Sequence, residues 1–146
     1  MKKININFLF VLFLILSSCN VEPQKIDYGK DSCHFCRMSI VDQLHAAQLV
    51  NTKGKAFKYD ASECLINDLE TREADQIGLL LVSDYNNPGV LIDAKKAHYI
   101  ISKNIPSPMG AYLSSVSSKE KALDLKKNKG GEIYTWNEII NHFKNK

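Results

Sequence analysis

The feature that most constrains the fold is a pattern that occurs twice. From His45 to Asn51 the chain carries Ala47 and Leu49 among nearby apolar residues, Lys53-Gly54 supplies a turn, and Lys55 to Tyr59 alternates polar and apolar side chains. This predicts a hairpin. Asp60 lies three residues before Glu63 in a capping-box arrangement, and Ala61, Cys64, Leu65 and Leu69 share one helical face through about Arg72. Ile77 to Val82 then reads as a buried strand, followed by the loop signal Tyr85-Asn86-Asn87-Pro88-Gly89, where a boundary between halves is expected.

The order then recurs. Val90 to Ala94 and His98 to Ile101 are strand candidates, Asn104 to Gly110 is a loop, and Ala111 to Val116 is a further strand. Ser117 and Glu120 match a second capping box, ahead of a helix through Ala122, Leu123 and Leu125 that Gly130-Gly131 ends. Glu132 to Tyr134 reads as strand, and Thr135 with Glu138 caps a last helix carrying Ile139, Ile140 and Phe143. Strands, a capped helix and a strand in each half predict an α+β domain with helices on mostly antiparallel sheet.

The N-terminus stands apart from this pattern. Lys2 and Lys3 precede nine apolar residues, Phe8 to Leu16. An anchor that crosses a bilayer needs about 20, whereas nine fit the short apolar core of a secretory signal. Residues 1–18 are therefore read as a signal peptide, and Leu16-Ser17-Ser18-Cys19 resembles the lipobox of bacterial lipoproteins, with Cys19 as the lipid-bearing first residue of the mature chain. Acyl chains there add about 0.8 kcal/mol per buried CH₂ and hold a domain at a membrane surface without a spanning helix. Residues 19–30 are polar, contain Pro23 and read as a tether, and the domain is expected over 31–146.

Without its signal the chain keeps 17 basic against 16 acidic residues. No dense basic face follows from that balance, so nucleic acid is not an expected partner. Three thiols remain beside Cys19, namely Cys33, Cys36 and Cys64. An odd number cannot all pair as disulfides.

The chemistry concentrates in Cys33-His34-Phe35-Cys36-Arg37-Met38, which puts two thiols, an imidazole and a thioether within six residues. Thiolate and thioether select Cu(I) and related soft ions, whereas zinc rarely takes Met. The other readings of Cys-x-x-Cys each lack a feature. A thioredoxin-like motif should follow a core strand, but Gln24 to Asp31 is polar. A zinc ribbon needs a second Cys pair, and covalent haem needs His where Arg37 stands.

Pro106-Ser107-Pro108-Met109-Gly110 is the second signal, because two prolines stiffen the loop that carries the other thioether. The candidate metal ligands are Cys36, Met38 and Met109, with Cys33 and His34 secondary. Cys64 falls on the apolar helix face and reads as a small core residue. Asp60 reads as an N-cap, and His45, His98 and His142 as ordinary packing or surface residues. No phosphate loop, nucleophile elbow or paired catalytic carboxylates emerge, so a carrier fits better than an enzyme.

These residues resemble the NosL family, copper-binding accessory lipoproteins of nitrous oxide reductase. The resemblance rests on the lipobox Cys19, the segment His34 to Met38, which is similar to the family's Cys-Gly-Met motif, the stretch Tyr59-Asp60-Ala61-Ser62-Glu63-Cys64, Pro108-Met109-Gly110 and Gly130-Gly131-Glu132. It implies two strand-strand-helix-strand units like the organomercurial lyase fold, and one Cu(I) held by Cys36, Met38 and Met109. It also implies an extracytoplasmic, periplasmic location and delivery to apo nitrous oxide reductase through its membrane maturation components. Arg37 stands where the family usually has Gly, and Cys33 is an extra thiol that either joins the site or closes it as a disulfide with Cys36. The competing functions are a copper carrier for another cuproenzyme and a thiol-disulfide oxidoreductase using Cys33 and Cys36. Organomercurial lyase follows from fold analogy alone.

Overall fold

The computed structural model describes residues 20–145, so the predicted signal peptide and Cys19 lie outside the described residues. Two antiparallel sheets carry the domain. Strands β1 (Ala47–Asn51) and β2 (Ala56–Tyr59) form the first hairpin, in the register Ala47 to Tyr59 and Leu49 to Phe57. Its turn is fixed by Asn51, whose side-chain oxygen accepts from the Lys53 and Lys55 amides at 3.0 and 2.8 Å. Helix α1 (Ser62–Leu69) and a short 3-10 turn (Ala74–Gln76) lead to β3 (Ile77–Asp84), which pairs with the free edge of β1, Leu49 opposite Leu80.

The second unit repeats the plan. Strands β5 (His98–Ile101) and β6 (Leu113–Val116) pair, α2 (Lys119–Lys129) follows, and β7 (Glu132–Tyr134) returns to the other edge of β5. In both units the first strand is central, flanked by the second and third. Each unit gains one element: β4 (Asn87–Asp93) extends the first sheet to the order β2-β1-β3-β4, and α3 (Trp136–Lys144) follows β7. The two-unit α+β expectation therefore holds.

The break between the units differs from the expected one. Tyr85 and Asn86 form the tight turn of the β3–β4 hairpin, with Asp84 accepting from the Asn86 amide at 3.2 Å and from the Asn87 side chain at 2.7 Å. The chain passes to the second sheet only at Asp93, whose backbone carbonyl accepts from the Lys96 and Ala97 amides. A turn-rich sequence marks a reversal equally well within a sheet or between sheets, and only strand pairing distinguishes them.

Strand alternation in β5 divides the interior. Tyr99 faces the main core with Leu49, Tyr59, Leu65, Val82, Leu113 and Ile139, while Ile100 faces a smaller cluster beneath α2 with Val116, Ala122 and Leu125. The units are joined at β3 and β6, where the Tyr85 amide donates to Ser115 O (2.8 Å) and the Ser115 hydroxyl donates to Ser83 O (2.7 Å). His45 adds a buried strut, with Asp42 Oδ2 at 2.7 Å and Ser114 Oγ at 3.0 Å from its two ring nitrogens.

Residues 20–30 form no helix or strand, yet they lie along the domain. The fully buried Gln48 needs partners for both halves of its amide, and Gln24 supplies its backbone N–H (2.8 Å) and carbonyl (2.7 Å). Ile26 enters the main core. The polar composition of the stretch concealed this docking, because its contacts are made by backbone groups and one apolar side chain.

The capping predictions divide three ways. Thr135 and Glu138 form the expected box, with the Thr135 amide donating to Glu138 at 2.7 Å. The α2 cap is Ser118 rather than Ser117, its hydroxyl accepting from the Lys121 amide at 3.3 Å, and the helix ends at Gly130 with φ 70°. At α1 no box forms. Ala61 is the N-cap, and Ser62, Glu63 and Cys64 of the first turn are all buried. A capping box suits a helix end in water, whereas this end is inserted beneath the second unit, so Glu63 accepts from Ser107 instead and Asp60 is buried.

Candidate metal centre

The thiol-bearing loop folds as a narrow hairpin. Gly29 N donates to Ile40 O and Ile40 N to Asp31 O, Ser32 bridges Ser39, and Cys33 N donates to Met38 O at 2.8 Å. The loop is fastened to β2 by the His34 amide on Lys58 O (2.8 Å) and by the Lys58 ammonium on Asp31 (2.6 Å). Its tip closes with Arg37 N on Cys33 O (3.0 Å), and Arg37 takes φ 68°. That left-handed conformation costs an L residue about 1–2 kcal/mol, and glycine adopts it freely. The hairpin thus keeps the shape a glycine would give and carries the strain. Arg37→Gly is expected to raise the stability of the metal-free protein by about 1 kcal/mol in urea denaturation, less what glycine's unfolded-state freedom removes. A loss of stability would show that the Arg37 side chain contributes more than its backbone costs.

Cys33 points inward from this hairpin and is fully buried, as is Cys64 on α1, while Cys36 is half-buried. The three sulfurs all lie within 4.8 Å of one another. Two thiolates bound to one ion at about 2.3 Å each stand at most about 4.6 Å apart, so this grouping needs only a small adjustment to close on a soft ion. No disulfide joins them.

The group is electrostatically asymmetric. The Cys64 thiol donates to the Cys33 sulfur, the Asp60 amide faces it, and the Cys36 amide approaches at 3.5 Å. These donors push Cys33 down to about 4 against the opposing effect of burial. Cys64 moves up, chiefly because its proton is held in the bond to Cys33, and burial raises Cys36. The arrangement favours the thiolate at Cys33 and the protonated thiol at Cys64 and Cys36. Full thiolate coordination must release those protons, so affinity falls with falling pH.

A second unusual group adjoins it. Asp60 is 1% exposed and neither carboxylate oxygen has a hydrogen-bond partner among the described residues, so burial and then the Cys33 charge push it up to about 6.

The other sequence candidates occupy different positions. His34 packs edge-on against Phe57, ring centroids 4.8 Å apart, where burial lowers its pKa, and it is not one of the three clustered ligand groups. Met38 stands on the thiol hairpin and is 49% exposed. Met109 is 38% exposed in a turn closed by Gly110 N on Ser107 O, and Ser107 in turn donates to Glu63, the neighbour of Cys64 on α1. Both thioethers are therefore carried by backbone tied to thiol-bearing elements. Cys64 is the residue that sequence reasoning set aside; the odd thiol count was the available signal. His98 lies on β5, and His142 packs beside Tyr134 at 5.3 Å.

A family model described as NosL matches residues 23–143, which include the thiol hairpin, α1 and the Met109 loop. The chain belongs to the NosL family. Among solved structures it is similar to the copper chaperone NosL from Shewanella denitrificans, at 23% sequence identity and a TM-score of 0.71, covering 82% of this chain and 96% of that one. At that identity the likeness speaks for the fold, including the paired units described above. Among curated proteins nothing matches. Among the described residues of this NosL-family chain, no helix is long and apolar enough to cross a membrane.

Proposed function

We propose that this protein carries one Cu(I) ion on the extracytoplasmic side of a membrane, anchored by lipid on Cys19, and delivers it to apo nitrous oxide reductase through the membrane components of its maturation. The observation that carries the reading is the trio Cys33, Cys36 and Cys64, two of them buried and one half-exposed. Membership of the NosL family and the fold shared with a protein named as a copper chaperone support it.

Soft sulfur donors stabilise the monovalent ion, and the buried pair protects it from water and oxidant. In this reading Cys36, Met38 and Met109, none of them fully buried, supply the accessible side of the site. A recipient's donors add there, while the ion is still held from within, and displace the weaker ligands first. Met38 and Met109 contribute neutral, weaker bonds that ease release.

The test is anaerobic titration of the reduced domain with Cu(I), followed by mixing with apo nitrous oxide reductase. Stoichiometric binding and passage of the copper to the enzyme are expected. Failure to bind Cu(I) would remove the reading, and binding followed by transfer only to a different cuproenzyme would redirect it. A Cys19→Ser form is expected in the soluble fraction.

The adjacency of Cys33 and Cys36 also suits a thiol-disulfide oxidoreductase. That reading predicts activity unaffected by Met38→Ala and Met109→Ala but abolished by Cys33→Ser.

A further inference from the structure

The Met109 loop is closed on itself and fastened to the helix of Cys64 through one side chain. Ser107, 8% exposed, stands between Pro106 and Pro108. Its hydroxyl donates to Glu63 Oε1, and the same oxygen accepts from the Tyr112 amide at 2.9 Å. Its carbonyl accepts from Gly110 N at 3.0 Å. Met109 thus lies inside a short loop that Ser107 clasps from both ends. The far end is anchored separately, by the Ser102 amide on Tyr112 O at 3.1 Å.

Two features mark the clasp as more than incidental. Tyr112 holds φ 61°, a left-handed conformation that is costly for a residue with a Cβ and persists only where its surroundings impose it. Glu63 is 1% exposed and buries a carboxylate whose second oxygen has no hydrogen-bond partner among the described residues. A buried carboxylate in the first turn of α1 is an expensive way to hold a loop, and the residue beside it is Cys64.

We propose that Glu63 and Ser107 are positioning residues, a clasp that fixes the Met109 thioether relative to the thiols and so sets how firmly copper is held. The inference rests on Met109 being a copper ligand. Without the clasp the loop would pay ordering entropy on binding, and the Met109 bond would weaken.

The test compares Cu(I) affinity, by anaerobic competition with a chromophoric chelator, for Ser107→Ala, Met109→Leu, the double variant and Glu63→Gln, which retains a carbonyl acceptor. Ser107→Ala is expected to weaken binding about tenfold, toward the level of Met109→Leu. The double variant should be no weaker than Met109→Leu alone, and Glu63→Gln should stay near wild type. In the metal-free Ser107→Ala protein the Met109 methyl resonance should sharpen and shift toward its unfolded position, a readout independent of copper. Should Ser107→Ala fold poorly, Ser107→Cys, which donates weakly, gives the same comparison. Wild-type affinity in Ser107→Ala with weakened Met109→Leu would overturn the clasp alone. Wild-type affinity in Met109→Leu would overturn the ligand assignment and the clasp with it.

Discussion

Cys64→Ser is expected to lower Cu(I) affinity by at least about a hundredfold, the upper end of what changes beyond the ligands themselves usually cost. Two effects act in the same direction. The substitution removes one of three sulfurs that lie within 4.8 Å of one another, and it replaces the thiol whose hydrogen bond does most to hold Cys33 ionised. A serine hydroxyl is a hard donor with little affinity for a monovalent soft ion. Chelator competition gives the affinity, and the ultraviolet absorbance of the thiolate, followed over pH in the metal-free protein, gives the Cys33 titration, which should move upward. Unchanged affinity would return Cys64 to the purely structural role that the helix pattern suggests.

The other large effect belongs to Asp60 and is read as a slope against pH. Its folded pKa of about 6 lies above the ordinary 3.8, so the group favours the fold below about pH 4 and loses that contribution as the pH rises through 6. Two units at about 1.4 kcal/mol each amount to about 3 kcal/mol of lost stability at neutral pH. Asp60→Asn cannot ionise, so its stability relative to wild type should improve by that amount between about pH 4 and pH 7.5 in urea denaturation of the metal-free protein. Cys33, whose depressed pKa acts in the opposite sense, is present in both proteins and repels the Asp60 carboxylate, so the difference reports Asp60 together with its coupling to Cys33. A difference that stays flat over this range would show that Asp60 does not titrate there.

The two predictions identify where local reading succeeded and where it did not. Cys33 and Cys36 were legible because six consecutive residues held an unusual set of donors, and the fold brings both into the cluster. The Thr135–Glu138 box was legible because that helix starts in solvent, where the sequence rule applies. Asp60 and Glu63 have the same spacing, and the rule fails for them because α1 begins inside the protein. His34 appears beside the thiols in sequence, but its backbone bond to β2 turns the ring toward Phe57. Gln24 and Ile26 looked like part of a tether, and nothing nearby announced the buried amide of Gln48 that receives the chain.

By itself the sequence determined the alternation of strands and helices, the two-unit plan and the soft-donor character of the loop at 33–38. Periodicity and donor type are properties of short stretches, and they survive without knowledge of partners. Tertiary structure alone decided that Cys64 completes the sulfur group, that Cys33 is the thiol its surroundings favour as thiolate, and that Ser107 ties the Met109 loop to α1. Each of these depends on residues tens of positions apart meeting in a buried space, where proximity and desolvation set the protonation and geometry that no local pattern encodes.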